Sequence, residues 1–217
     1  MKRTLCALLS ALFLSTLAIP CSAADTAIPK IRDYPGFADV AEESWCYDAV
    51  KLCYESGLMN GTSETTFGPQ GPLTAAQLVV LTARLYDLRN GGSGAIPALP
   101  DLAQPYLRFL GPEGDLLYRL APEGQARDEE LFAQSASRVL FAWLTDFAAG
   151  ELSVLHETVS VPDVTEDTQD ADSILRLYRS GILTGVDASG RFHGDGTLTR
   201  AQAAVMLSRV LDPRLRI

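Results

Sequence analysis

The chain is 217 residues long, with 27 acidic against 18 basic residues and a formal charge of −9. An acidic surface repels phosphates, which excludes DNA and RNA as partners. Two histidines and four cysteines, with no CxxC pair, leave too few ligands for a structural zinc site, and no cofactor is expected.

The first element in chain order is a leader. Lys2 and Arg3 precede an uncharged apolar run to Ile19, and Ser22-Ala23-Ala24 offers small residues for a cut before Asp25. This is the pattern of a secretory signal peptide over residues 1–24. The run is shorter than the roughly 20 residues of a membrane span, and no later stretch is long enough either. Removing the leader discards Cys6 and Cys21 and leaves Cys46 and Cys53. On one helix these two stand about 10 Å apart, too far for a disulfide, so buried free thiols are expected. Residues 25–36 read as a linker.

A first helix–loop–helix unit is expected over 37–90. Its first helix runs from about Trp45 to Ser56, with Trp45, Ala49, Leu52 and Cys53 facing inward. Asp39, Glu43 or Ser44 caps it, and Gly57 stops it. Gly61 opens a loop holding Phe67 and Pro69. Thr74 caps the second helix, and Gln77 three residues later completes a capping box. Leu78, Leu81 and Leu85 then supply an apolar face. The same order of residues returns about 124 positions later, a distance of two periods near 62, which predicts a middle unit between the two.

Asn90-Gly-Gly-Ser-Gly94 forms a boundary before that middle unit, over 95–150. It is degenerate: Leu99-Pro-Asp101-Leu102 stands for its start, Asp128 takes the place of the capping threonine, and Arg138 the place of Arg84. Trp143, in a run with Phe141 and Phe147, reads as core. After residues 151–160 the third unit covers 161–212. Asp163 replaces Asp39, Gly181 and Gly185 replace Gly57 and Gly61, and Phe192 replaces Phe67. Thr199 and Gln202 form the second capping box, followed by Val205, Met206 and Val210, with Arg209 at the place of Arg84. His193 aligns with Gly68 and reads as a solvated loop residue. The acidic stretch 163–172 lacks the calcium-loop spacing. No G-x-S-x-G, H-E-x-x-H, P-loop or dinucleotide glycine pattern occurs, so no enzyme is expected.

The motif order resembles the S-layer homology (SLH) module. The carrying residues are Phe37-Ala-Asp39-Val40, Trp45, Gly57/Gly61, Phe67-Gly-Pro69 and Leu73-Thr-Ala-Ala-Gln77 in the first unit. In the last they are Gly181/Gly185, Phe192 and Leu198-Thr-Arg-Ala-Gln202. The resemblance implies an all-α fold of three helix–loop–helix units in a compact pseudo-threefold body. It implies non-covalent binding, in grooves between units, of an anionic secondary polymer linked to peptidoglycan and often pyruvylated. It places the protein at the wall or surface of a bacterium. The candidate glycan contacts it implies are Trp45, Arg200, Asp39 and Asp163, with Thr74, Gln77, Thr199 and Gln202 beside them. An arginine fork suits a carboxylate-bearing sugar. The first unit has Ala75 where the last has Arg200, and Gln169 stands where Trp45 does, so a complete groove needs Trp45 and Arg200 to meet across units. A secreted scaffold that has lost glycan binding is the alternative expectation.

Overall fold

The computed structural model describes residues 27–94 and 133–217. The expected leader and the first half of the middle unit lie outside the described residues. Five α-helices order the rest: α1 Tyr47–Glu55, α2 Ala75–Arg89, α3 Arg138–Ala149, α4 Ala171–Arg179 and α5 Arg200–Leu211, with a 3-10 turn at Pro213–Leu215. Among the described residues the fold is all-α.

Both expected capping boxes form. Thr74 Oγ1 accepts from Gln77 N at 3.2 Å, while Gln77 Oε1 accepts from Thr74 N at 3.3 Å. Thr199 and Gln202 repeat this at 3.2 and 3.0 Å. Each box satisfies donors that a helix start otherwise leaves open. The middle unit is corrected. The expected cap Asp128 lies outside the described residues, and helix α3 is capped by Ser137, whose Oγ accepts from Leu140 N at 3.2 Å. Ser137 lies 63 residues after Thr74 and 62 before Thr199, where the repeat period puts a cap. Arg138 therefore matches Ala75 and Arg200 at the first helical position, and Phe147 occupies the place of Arg84 and Arg209.

The three capping segments pair with one another. Isolated antiparallel bridges join Pro72 to Thr199, Thr74 to Ser135 and Ser137 to Thr197. The first amide of each second helix donates into a neighbouring segment: Ala75 N to Gln134 O at 2.8 Å, Arg138 N to Gly196 O at 2.9 Å, and Arg200 N to Gly71 O at 2.9 Å. These donors have no partner within their own helix, and the three bonds close a ring. Around it α1 packs on α5, α4 on α3, and α2 on α3. Phe67, Leu58 and Leu73 of the first unit and Phe192, Ile182 and Leu198 of the last are fully buried beneath. Burying each such side chain contributes about 1.5–3 kcal/mol.

The first helix starts later than its pattern suggests. Trp45 lies in the turn before α1 and is 64% exposed, so the inward reading of this residue is corrected. Cys46 and Cys53 are buried and unbridged, as expected. Asp39 caps no helix; Cys46 stands at the N-cap of α1 and supplies no side-chain cap. The segment before Phe37 is tied to the body: Ile31 N and Arg32 N both donate to Glu55 O, and Ile28 N donates to Leu211 O. Leu155 N and His156 N, each 124 residues further on, donate in the same way to Arg179 O. Gly57 and Gly181 end α1 and α4 at φ +80° and +69°, where a side chain is strained. Among the described residues no helix is long and apolar enough to cross a membrane.

Candidate functional site

The two aromatic loops are held by the early aspartates. Asp39 accepts from Phe67 N and Gly68 N, both at 2.7 Å. Asp163 accepts from Phe192 N and His193 N, also at 2.7 Å. Burial works to raise the Asp163 pKa, but the amides of Phe192 and His193 outweigh it and hold this carboxyl below its ordinary range. With both oxygens on backbone amides, each carboxylate first serves to shape its loop. Gly68 and His193 both take positive φ, +72° and +56°, so the loop geometry is preserved even where a non-glycine residue must bear it. His193 is exposed.

Two arginines then clasp each loop. In the first, Arg200 reaches across from the last unit: Nε donates to Phe67 O at 2.9 Å and Nη2 to Asn60 O at 2.7 Å, with the guanidinium 4.6 Å from the Phe67 ring centre. Arg84 donates to Leu58 O at 3.2 Å from the unit's own second helix. In the last unit, Arg138 crosses from the middle unit and donates to Phe192 O at 2.6 Å, 5.3 Å from that ring, while Arg209 donates to Ile182 O at 2.8 Å. Burial lowers the pKa of Arg138, Arg200 and Arg209, but a guanidinium remains charged. The sequence reading missed Arg138 as a loop-clasping residue because Asp128 drew the cap nine positions early. Counting the period from either threonine finds it.

Beside the first loop lies a pocket of about 160 Å³. Arg200, Arg84 and Gln77 supply its polar groups, Met59, Asn60 and Gly61 one wall, and among the described residues no carboxylate lines it. Arg200 is only 8% exposed. Its described partners are backbone carbonyls and an aromatic face, with no ion pair; the carboxylate whose charge it feels is Asp39. Thr199 and Gln202 open the helix that carries Arg200, but neither lines the pocket, and Thr74 does not either. Trp45 is outside it too, so Arg200 and Trp45 do not share this pocket, although Trp45 precedes the helix that packs on α5. A groove of about 630 Å³ runs between α3 and α4, and another, of about 210 Å³, lies beside the start of α3 among Ala75, Gln134, Asp170 and Asp195. Trp143 lines both while its other side rests on the core, and among the described residues no basic side chain lines either.

The model of the S-layer homology domain family matches residues 36–79 and 162–204. These are the two units whose loops, aspartates and capping boxes coincide. Over 211 residues, 97% of its length, the chain is 25% identical to an endoglucanase of Bacillus sp. (strain KSM-635). It spans 22% of that enzyme's length.

Proposed function

We propose that the two S-layer homology domains, with residues 95–150 as a third unit between them, form one non-catalytic cell-envelope module that binds an anionic secondary polymer attached to peptidoglycan. The units run over 37–90, 95–150 and 161–212, arranged about a pseudo-threefold axis, and residues 1–24 direct export. The closed ring of helix-start hydrogen bonds supports the threefold arrangement. So does the common direction in which Arg138 and Arg200 reach from one unit into another.

The observation that carries the binding reading is Arg200. A buried guanidinium costs free energy unless an anion or a full set of acceptors compensates it. Arg200 has two carbonyls, no carboxylate partner among the described residues, and a pocket beside it lined by a second arginine and Gln77. A sugar carboxylate, such as a pyruvyl group, entering there completes the charge balance and receives charge-assisted hydrogen bonds. Trp45, exposed at the head of α1, offers an indole face to a neighbouring sugar of the same chain. Thr74, Thr199, Gln202, Asp39 and Asp163 support the site by fixing helix starts and loops; Gln77 adds a group in the pocket.

The test is co-sedimentation of residues 25–217 with cell-wall sacculi, before and after acid removal of their secondary polymers. Binding should be lost on stripping. Arg200→Ala should lose most of it while keeping the helical circular dichroism. A variant that binds as well as the parent removes Arg200 from the site. One observation favours the second reading, a secreted interaction scaffold without glycan binding. Ala75 leaves the first unit without the arginine that Arg138 and Arg200 provide elsewhere. No binding to either preparation would favour that reading.

A further inference from the structure

Asn60 is gripped from two sides. Its carbonyl accepts from Arg200 Nη2 at 2.7 Å, and its side-chain Oδ1 accepts from Arg32 Nη2, also at 2.7 Å. The same Arg32 nitrogen donates to Met59 O at 2.9 Å, and Arg32 Nε donates to Tyr54 O at 2.6 Å. The Arg32 guanidinium lies 3.7 Å from the centre of the Tyr54 ring. Its own backbone is anchored, since Ile31 N and Arg32 N donate to Glu55 O at 2.8 and 3.3 Å. Arg32 itself does not line the 160 Å³ pocket; Met59, Asn60 and Gly61 do.

We infer that Arg32 is a positioning residue for the Arg200 pocket, setting the Met59–Asn60–Gly61 wall and, through Asn60, the direction in which Arg200 points. The inference rests on the reading of that pocket as the anion site. It is independent of the family match, which begins at residue 36, beyond Arg32. The wall leaves no slack for another arrangement. A Cβ on Gly61 would stand 2.5 Å from Ser63 O and 2.6 Å from both Thr66 O and the Phe37 ring. The end of α1, the turn after it and the helix start of a distant unit are thus joined through two guanidinium forks.

Among the described residues the brace belongs to one pocket only. His156 occupies the place of Arg32, and its amide donates to Arg179 O at 3.0 Å in the same manner. Its ring, however, meets Ile217 O at 3.1 Å, and Thr184 stands where Asn60 does. The loop held by Arg138 therefore lacks the second grip.

A planar fork reaches Tyr54 O, Met59 O and Asn60 Oδ1 together; an ammonium at the same place keeps the charge and loses the fork. The test is the affinity of residues 25–217 for acid-released wall polymer, measured for the parent, R32K, N60A, R200A and R32K/R200A. R32K should weaken binding roughly three- to tenfold, with the two residues coupled as groups sharing a partner are. On the R200A background R32K should add nothing, which a merely structural loss or a change of net charge would not produce. N60A removes the side-chain grip alone and should fall in the same direction as R32K, so the question stays open to measurement even if R32K lowers the thermal midpoint. Parent-like binding by both R32K and N60A overturns the inference, as does an equal R32K loss with and without Arg200. Parent-like binding by R200A overturns the reading of the pocket, and the inference with it.

Discussion

Asp163→Asn tests the loop architecture most directly. The wild-type carboxylate is 20% exposed and accepts from two backbone amides at 2.7 Å. Asparagine keeps one carbonyl oxygen and turns an NH2 toward the second amide, so one charge-assisted bond is lost and a donor faces a donor. Hydrogen bonds to charged groups contribute about 1.5–3 kcal/mol, and the variant should be less stable by that amount at pH 7. The sign of the pH dependence follows from the pKa direction. The folded pKa lies below the unfolded one, so the stabilisation is present above the unfolded value near 3.9 and is lost as pH falls through the folded value. The difference between the two proteins should therefore be constant from pH 7 to about pH 5 and close progressively below pH 4. Urea unfolding followed by circular dichroism at a series of pH values reads it as the gap between midpoints. Equal midpoints at pH 7, or a gap that widens in acid, would refute the assignment of Asp163 as the loop's anionic anchor.

Thr74→Ala, Ser137→Ala and Thr199→Ala should each cost about 0.5–2 kcal/mol, the usual range for a lost N-cap; an unchanged urea midpoint for Ser137→Ala would return the middle unit's cap to another residue. Cys46 and Cys53 should resist a thiol reagent in the native protein and react only as it unfolds. Burial pushes the Cys53 thiol far up and leaves little thiolate to attack; fast labelling without denaturant would contradict the packing of α1.

What the sequence made readable was local. Thr-x-x-Gln before an apolar run, and a glycine closing each first helix, rest on contacts within a few residues. The structure reproduces them at Thr74, Thr199, Gly57 and Gly181. The middle unit was obscured because Leu140 replaces the glutamine at the third helical position, so Ser137 caps without a box and Asp128 offered a plausible rival. Trp45 fits the inward face of a helix extended two residues toward the N-terminus, but α1 begins at Tyr47 and leaves it in the preceding turn. The clasps were hidden for a different reason. Asp39 acts on amides 28 and 29 residues away, and Arg200 on a carbonyl 133 residues away. No periodicity encodes such pairs; folding of the first unit brings Asp39 to its amides, and closure of the ring brings Arg200 to Phe67.

That closure has a consequence for how the chain is made. In an open solenoid each repeat leans on its sequence neighbour, and folding advances from whichever end appears first. Here the Phe67 loop waits for Arg200, the Gly71 carbonyl for the Arg200 amide, and Ile28 for the carbonyl of Leu211. A unit is thus completed by one synthesised more than a hundred residues later. Assembly of the body must be a late, concerted event rather than a stepwise one, with the sequence-distant contacts that slow folding.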